Sequence, residues 1–368
     1  MVMWKSRLPR EIFEIGQQGY AAAEPVAYPE GLEVIDCGLG TNPLGMPVSV
    51  RRFLEGGAGC SVCDYPAPEP EDLKAAIASA HGAWGISPDQ VLVGGGSMGV
   101  LLTLVRLLLR PGSVMSGISP QFTDTVLQAL YNGASYDPVS LVPPRYAIET
   151  GRLLEAIGKG PEVFYLDRPN NPTGQVLSLE EVALLARSAM EAGAWVISDE
   201  AYGDFLPDDE SAAMLDFPNL VTCRSFSKGP GAAGIRAGFA VCRDPELAAL
   251  FRKIQPPFVI GTLDVLMALE ILKDPAPLQE TRAYVRAAKA RILDAVSKKP
   301  GWSVADTDER VPIFLLSQES GSLVKRLAAV GISCEGGSGY FGMDDRSVRL
   351  RVPAPEKLEA FLSRVAVA

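Results

Sequence analysis

One histidine stands in a chain of 368 residues. A Ser-His-Asp triad or a histidine-rich metal site would have to be built around His81 alone, and nothing near "ASAHGAWG" supports either. His81 falls near an expected helix end, where a capping or dipole-favoured role suits it better than catalysis. Cysteine is sparse as well, with six scattered along the chain. Cys60 and Cys63 form one CxxC, but no second pair with metal spacing follows, and the "DYPAPEPE" after it does not open the helix that a redox motif needs. Two reduced thiols and no metal are expected. Long apolar runs are missing too. The longest, "VLLTLVRLLL", is broken by Arg106 and falls far short of the roughly 20 residues that a membrane span requires. The start, "MVMWKSRLPREIFE", carries charges where a signal peptide needs an apolar region. No basic block offsets the formal net charge of -10, so nucleic acid and anionic membrane are poor partners. A cytoplasmic protein acting on small molecules is the expectation.

What remains is an ordinary globular composition, 47% apolar and 21% charged, which argues against disorder as a main state. Short apolar runs alternate with helical patterns. "QVLVGGG" reads as a buried strand entering a glycine turn, with a helix through "GVLLTLVRLLLR". "SVMSGIS", "EVFYLD", "AWVISDE", "NLVTCRSF" and "AGFAVC" read as further strands. "FTDTVLQALYNG" and "SLEEVALLARSAMEAG" read as helices between them. In the second of these, Ser178 and Glu181 form a capping box and Gly193 suits the stop. Strands alternating with helices predict an α/β fold with a mostly parallel sheet covered on both faces. After about Leu272 the pattern changes to a long helix, "LQETRAYVRAAKARILDAVSKK", and then "VPIFLLSQ", "SLVKRLAAVG", "VRLRV" and "EKLEAFLSRV". This predicts a smaller α+β domain. The expected division is residues 51–272 for the large domain, 273–368 for the small one, and 1–50 for a segment packing with the latter.

In open α/β sheets, ligands sit beyond the carboxyl ends of the strands. Several unusual residues fall there. "GGGSMG" follows a strand and opens a helix, so its N–H groups and Ser97 can cradle a phosphate, although many glycine turns bind nothing. "PNNPTG" follows "EVFYLD", and Asn171-Pro172 within it is a turn dipeptide open to a cis bond. Asp199 ends the buried strand "AWVISD", where an acid needs a partner or a function; Tyr202 follows. "SFSKGPGAAGIRAGF" then sets Lys228 among Ser225, Ser227, glycines and Arg236. Such small, hydroxyl-lined surroundings suit neither a surface lysine nor a core one. They suit a lysine that another molecule must approach closely.

These groups match the needs of one cofactor. Pyridoxal phosphate requires a lysine for its aldehyde, a carboxylate for its ring nitrogen and anion ligands for its phosphate. It also needs hydrogen-bond partners for its phenolic oxygen and an aromatic ring over its face. Lys228, Asp199, the group Ser97, Ser225, Ser227 and Arg236, and the pair Asn171 and Tyr202 supply the first four. Phe122, in "SPQFTD", is equally at home over the ring or in a core.

The ordered set "NNPTG", "SDEAY" and "SFSK" with Arg236 resembles the class I/II aminotransferases of fold type I, over nearly the whole chain. It is most similar to the histidinol-phosphate aminotransferase branch and its relative, threonine-phosphate decarboxylase. "TNPLGMPVSVRR" resembles the N-terminal segment of both, which implies a substrate-side place for Asn42. The glycine loop departs from the resemblance, since relatives usually carry acidic residues after the small one; Ser97 and Met98 are still expected beside the cofactor. "CDYPAPEPEDLKAAIA" resembles a segment that implies Tyr65 reaching the cofactor phosphate of a neighbouring subunit, and hence a homodimer. "VRLRVPAPEKLEAFL" resembles the segment whose arginine holds the substrate carboxylate, which implies Arg349 in that role; Arg351 shares its face at period two and competes for it.

The chain departs from the resemblance at Arg168, where a small residue is common, at Gly229 and Pro230 after the lysine, and at Pro353, where the decarboxylase branch tends to carry an arginine. The resemblance implies Asp199 holding the ring nitrogen protonated, Lys228 acting as general base, Tyr202 supporting both, and a donor carboxylate gripped by Arg349. The expected activity is amino transfer from an amino acid or amino-phosphate to a 2-oxo acid. Decarboxylation of an amino-acid phosphate is the alternative, favoured by "NPLGMP" and disfavoured by Pro353.

Overall fold

A computed structural model describes residues 10–16, 26–57, 59 and 61–368. Cys60 and the first nine residues lie outside them. Of the CxxC pair only Cys63 is described, and it is exposed with a free thiol. No helix among the described residues is long and apolar enough to cross a membrane.

Segments such as Phe164-Tyr165-Leu166 have no polar face, so they form strands buried on both sides. The strands are β1 (Ile35–Asp36), β2 (Val91–Gly95), β3 (Val114–Ser119), β4 (Ser135–Ser140), β5 (Val163–Asp167), β6 (Trp195–Asp199), β7 (Leu220–Ser225), β8 (Ala237–Cys242), β9 (Trp302–Val304), β10 (Ile313–Gln318), β11 (Ile332–Ser333), β12 (Glu335–Gly336) and β13 (Ser347–Arg351). Seven of them make one sheet in the order β2-β8-β7-β6-β5-β3-β4. β8 runs antiparallel to both its neighbours, and the other pairs are parallel. Six strands therefore share a direction, and their carboxyl ends lie at one edge. Because β8 is reversed, its first residue comes to that same edge.

Helices cover both faces of this sheet. Gly96–Leu108 packs Val100, Leu101 and Leu104 over Met115, Ile197 and Val221. Leu179–Glu191 packs Val182 and Leu185 over Phe164, Leu166 and Val196 on the other face. The expected capping box is present: Ser178 Oγ accepts from Glu181 N, and Glu181 Oε2 accepts from Ser178 N at 2.8 Å. His81 caps the C-terminus of Glu71–Ala80 and donates from Nδ1 to Asp208 at 3.0 Å. The sequence reading left out β4, "SYDPVS", in which Asp137 and Pro138 oppose strand formation. Its edge position resolves this, since a proline at an edge removes no ladder bond on the outer side.

A second sheet runs antiparallel in the order β12-β13-β10-β9. It packs against helices Ala276–Ser297 and Leu358–Val367 through Val285, Ile292, Phe314, Leu350 and Phe361. The N-terminal segment joins there as well, because β1 pairs with β11. Tyr202 and Phe205, beyond the end of β6, share this second core. Each unit holds a buried polar hub. Lys289 donates to Thr307 Oγ1 and to the carbonyls of Asp308, Val311 and Ile313, at 2.6 to 2.9 Å. A Cβ on Gly174, in the "NNPTG" turn, would sit 2.4 Å from Ile313 O, so only glycine lets that turn approach β10.

The second hub explains Arg168. Its Nε donates to Leu177 O at 2.7 Å and its Nη1 to Glu200 at 2.9 Å. Glu200 is fully buried and also accepts from Ser211 Oγ, Ala212 N and Arg224 Nη1. Arg168 is thus the partner that a buried charge at the carboxyl edge of the sheet requires. The Asn171-Pro172 bond, open to a cis form by its sequence, is not among the cis bonds, which lie at Arg168-Pro169, Ser119-Pro120 and Pro143-Pro144. Replacing Arg168 with Ala strands part of the Glu200 charge in the interior. We expect a loss of about 3 kcal/mol or more, measured as the urea midpoint at unchanged slope.

Candidate active site

The carboxyl edge of the large sheet opens into a cavity of about 350 Å³. β6 delivers Asp199, β5 delivers Asp167, β7 delivers Ser225, β2 leads into Ser97 and Met98, and reversed β8 begins just after Arg236. All of these line the cavity together with Phe122, Asn171, Tyr202, Ser227 and Lys228.

One end is an anion cradle. The helix Gly96–Leu108 begins here, so its first N–H groups have no helical acceptor. Glycine is required twice. A Cβ on Gly96, at φ +73°, would lie 2.4 Å from Arg236 Nη2, and one on Gly238 would lie 2.1 Å from Ser97 N. Without those side chains the guanidinium and the helix start come together. Arg236 Nη1 also donates to Ser227 Oγ at 3.3 Å and to Ala233 O at 3.0 Å, and Ser227 N donates to Ser225 Oγ at 3.1 Å.

The other end is acidic. Asp199 is buried; its Oδ2 accepts from Tyr165 Oη at 2.9 Å and its Oδ1 from Ala201 N at 3.1 Å. Burial pushes its pKa up to about 6, against the Tyr165 hydrogen bond and the nearby Lys228 charge, which both favour the carboxylate. Asp167 pairs in register with Asp199 across the two strands. Its Oδ2 accepts from Phe122 N at 2.7 Å and Asn171 N at 3.1 Å, while Oδ1 has no partner. Burial, and then the charge of Asp199, hold it well above the usual carboxylate range.

Between the ends, Lys228 Nζ lies 5.4 Å from the centre of the Tyr202 ring. Tyr202 Oη is buried and has no hydrogen-bond partner. A Cβ on Gly40 would fall 2.0 Å from that oxygen and 3.1 Å from Lys228 Nζ. Asn171 Oδ1 accepts from Tyr340 Oη at 3.0 Å and Arg349 Nη1 at 3.1 Å. That leaves its Nδ2 to donate toward the cavity.

Four residues named from the sequence stand apart from this group. Asn42 borders a different cavity, with Arg351 and Lys357. Its Nδ2 donates to Gly229 O at 2.7 Å and Thr281 Oγ1 at 3.1 Å, and its Oδ1 accepts from Leu44 N at 2.7 Å, so its amide braces the lysine loop. Arg351 is turned away as well: it donates to the carbonyls of Asp36, Leu39 and Val352 and pairs with Asp36. Tyr65 is 83% exposed, stacked on Phe258, and outside this chain's cavity. Arg349 is fully buried one side chain behind the wall, holding Asn171, Gly38 O and Glu335. Sequence reading missed Asp167, Tyr165 and Glu335. For Asp167 a signal existed, since it ends "VFYLD" as Asp199 ends "WVISD".

The donor set fits pyridoxal phosphate. The cradle suits a phosphate, the buried carboxylate suits a protonated ring nitrogen, and the orphaned Tyr202 hydroxyl suits an oxyanion beside Lys228. In the protein alone, the raised pKa means that folded Asp199 holds a proton which the unfolded chain releases between about pH 4 and 6. Its contribution to stability therefore falls as pH rises through that window. Replacing Asp199 with Asn should raise the melting temperature of cofactor-free protein relative to wild type, with the gap growing from pH 4.5 to 7, by roughly 2 kcal/mol at most. A gap independent of pH, followed by thermal unfolding, would contradict this.

Comparison with known proteins agrees with this geometry. The model for aminotransferase class I and II matches residues 33–365. Histidinol-phosphate aminotransferase of Symbiobacterium thermophilum is 30% identical over 89% of this chain and 88% of its own. Histidinol-phosphate aminotransferase 1 of Mesorhizobium japonicum is 29% identical over 80% of each. Among solved structures, histidinol-phosphate aminotransferase from Sinorhizobium meliloti in complex with pyridoxal-5'-phosphate superposes with a TM-score of 0.83 at 23% identity, covering 98% of this chain and 97% of that one. Aspartate aminotransferase from Thermus thermophilus gives 0.78 at 22%, covering 92% of each chain. At these identities the structural matches establish the fold.

Proposed function

The chain belongs to the class I and II aminotransferases, and from that premise we propose that it moves an amino group from a small amine donor to a 2-oxo acid, with pyridoxal phosphate held between Arg236 and Asp199. The observation that carries this reading is the convergence of Lys228, Asp199, Tyr202, Asn171 and Arg236 on one cavity. When bound, pyridoxal phosphate supplies an aldehyde that takes the amine and a ring that accepts the electron pair left at the α-carbon.

Ser97, Ser225, Ser227, Arg236 and the helix start at Gly96 would hold the phosphate, with Met98 packing beside them. Asp199 would keep a proton on the ring nitrogen, and the ring's positive charge in turn lowers the Asp199 pKa from its raised value. Phe122 would lie against the ring. Asn171 Nδ2 and Tyr202 Oη would donate to the phenolic oxygen. Lys228 would hold the aldehyde until a donor displaces it, and would then take the α-proton and return it one carbon away. Arg349 would orient the donor by its α-carboxylate, reached from behind Asn171. Replacing Lys228 with Ala is expected to abolish both turnover and the long-wavelength absorbance of bound cofactor; retention of either overturns the assignment.

Relatives named histidinol-phosphate aminotransferase support amino transfer over decarboxylation. The release of keto product only with a 2-oxo acid present, and of no carbon dioxide, tests that choice. Residues 51–272 form the cofactor-binding domain in this reading, 273–368 the small domain, and 1–50 join the latter through β1. The enzyme works in the cytoplasm as a homodimer, in which exposed Tyr65 completes the partner's phosphate cradle. Replacing Tyr65 with Ala then weakens cofactor binding without dissociating the dimer. An active monomer in sedimentation sinks this part.

A further inference from the structure

Lys289 lies fully buried on helix Ala276–Ser297, and no step of the proposed reaction uses it. Its Nζ donates to Thr307 Oγ1 at 2.7 Å and to the carbonyls of Asp308, Val311 and Ile313 at 2.6, 2.8 and 2.9 Å. The acids beside it are engaged elsewhere: Asp308 pairs with Arg310 and Glu309 with Arg286. Burial pushes the Lys289 pKa down to about 7, against the charges of Asp308 and Glu309. An amine in this place is therefore costly, and an apolar side chain would fill the space without that cost.

The four acceptors belong to one stretch of chain, the connection 305–312 from β9 to β10 and the first residue of β10. Lys289 gathers that connection into a closed loop, and the outer side of the loop meets the unit of the large sheet. Asp306 N donates to Arg145 O at 2.8 Å, and the Asp306 carboxylate accepts from Arg145 Nε at 2.9 Å and Nη2 at 2.8 Å. Arg310 Nη1 donates to Glu210 at 2.7 Å. Between these contacts, Asp308 N donates to Gly174 O at 3.0 Å, on the "NNPTG" turn. The turn rests on the hub itself, since a Cβ on Gly174 would lie 2.4 Å from Ile313 O, 2.6 Å from Thr307 Oγ1 and 3.4 Å from Lys289 Nζ. From Gly174 the turn is stiff back to Asn171. Gly174 N donates to Asn170 O at 2.7 Å, Asn170 Oδ1 accepts from Thr173 N at 3.2 Å and Thr173 Oγ1 at 2.6 Å, and Asn171 N donates to Asp167 Oδ2 at 3.1 Å.

We infer that Lys289 is a positioning residue for the cofactor: through the loop 305–312 and Gly174 it fixes Asn171, and with it the hydrogen bond that Asn171 Nδ2 gives the phenolic oxygen. This rests on the place given to Asn171 in the proposed function. A donor aimed at that oxygen favours its negatively charged form. The pH midpoint at which the bound cofactor changes its absorbance therefore reports how well Asn171 is held. Tyr340 and Arg349 still hold Asn171 at Oδ1 when Lys289 is lost, so the side chain is displaced rather than freed.

The test follows that midpoint in the holoenzyme for wild type, Asn171→Ala, Lys289→Met and the double variant. Asn171→Ala should raise it by about one unit, the effect of losing a hydrogen bond to a charged group. Lys289→Met should raise it by about half a unit in the presence of Asn171, a part of the same bond, and leave it unchanged in the Asn171→Ala background. Thr307→Val removes one acceptor from the hub and should raise the midpoint by less; it decides alone if Lys289→Met does not fold. In cofactor-free protein, Lys289→Met or Thr307→Val should speed hydrogen exchange at the Gly174 and Asp308 amides and leave β2 unchanged. An unmoved midpoint in both hub variants overturns the inference, as does unaltered exchange at Gly174. So does an equal rise with and without Asn171, which is what a general loosening of the fold produces. If Asn171→Ala itself leaves the midpoint in place, the position of Asn171 at the cofactor fails, and the inference falls with that reading rather than on its own.

Discussion

A carboxylate buried at the end of a central strand sets the terms for everything at this edge. Leaving Asp199 in the interior is costly for its charged form, and its pKa of about 6 records that cost. The surroundings return part of it: Tyr165 and the Ala201 amide donate to its two oxygens, and Lys228 adds a positive charge nearby. None of these neutralises it fully. A protonated ring nitrogen against Asp199 would do so, and the family's cofactor brings one. The acid is therefore unfavourable to the cofactor-free protein and favourable to the loaded one. Functional sites are where such local conflicts persist.

The conflict can persist because the scaffold behind it is over-determined. Glu200 follows Asp199 in sequence and points the other way, into a buried cluster of Arg168, Arg224 and Ser211. A neighbouring charge that is satisfied from several sides leaves the strand end no room to relax. On the cradle side the same logic uses absence of atoms. The glycines at 96 and 238 carry no Cβ, so Arg236 and the helix start can share one small volume. The reversal of β8 is what brings Arg236 to an edge where the other strands end.

How legible this was in the sequence follows from the kind of signal each residue leaves. Asp199, Asn171, Ser97 and Lys228 sit after apolar runs and Arg236 just before one, and the structure does bring them into one cavity. Strand ends are fixed by backbone periodicity, so residues there can be read from one dimension. The edge strand β4 was illegible because Asp137 and Pro138 speak against a strand, and only its place in the sheet tolerates them. Asn42 and Arg351 misled for a related reason. Their types suit ligands, but each is consumed by backbone carbonyls or amides of segments that are distant in sequence. No local pattern announces such a partner.

The same distinction separates reaction class from substrate. The groups that line the cavity stand beside the strand ends of one sheet. Beside that edge, the first turn of the helix near residue 124 and the segment after β12 come from two remote places. Thr123 and Ser119 fasten the two by hydrogen bonds to carbonyls more than 200 residues away. A carbonyl is the same whatever residue bears it, so a sequence comparison is blind to this junction. It does see the catalytic edge, which is why relatives at about 30% identity carry the reaction class further than they carry the charge of the substrate.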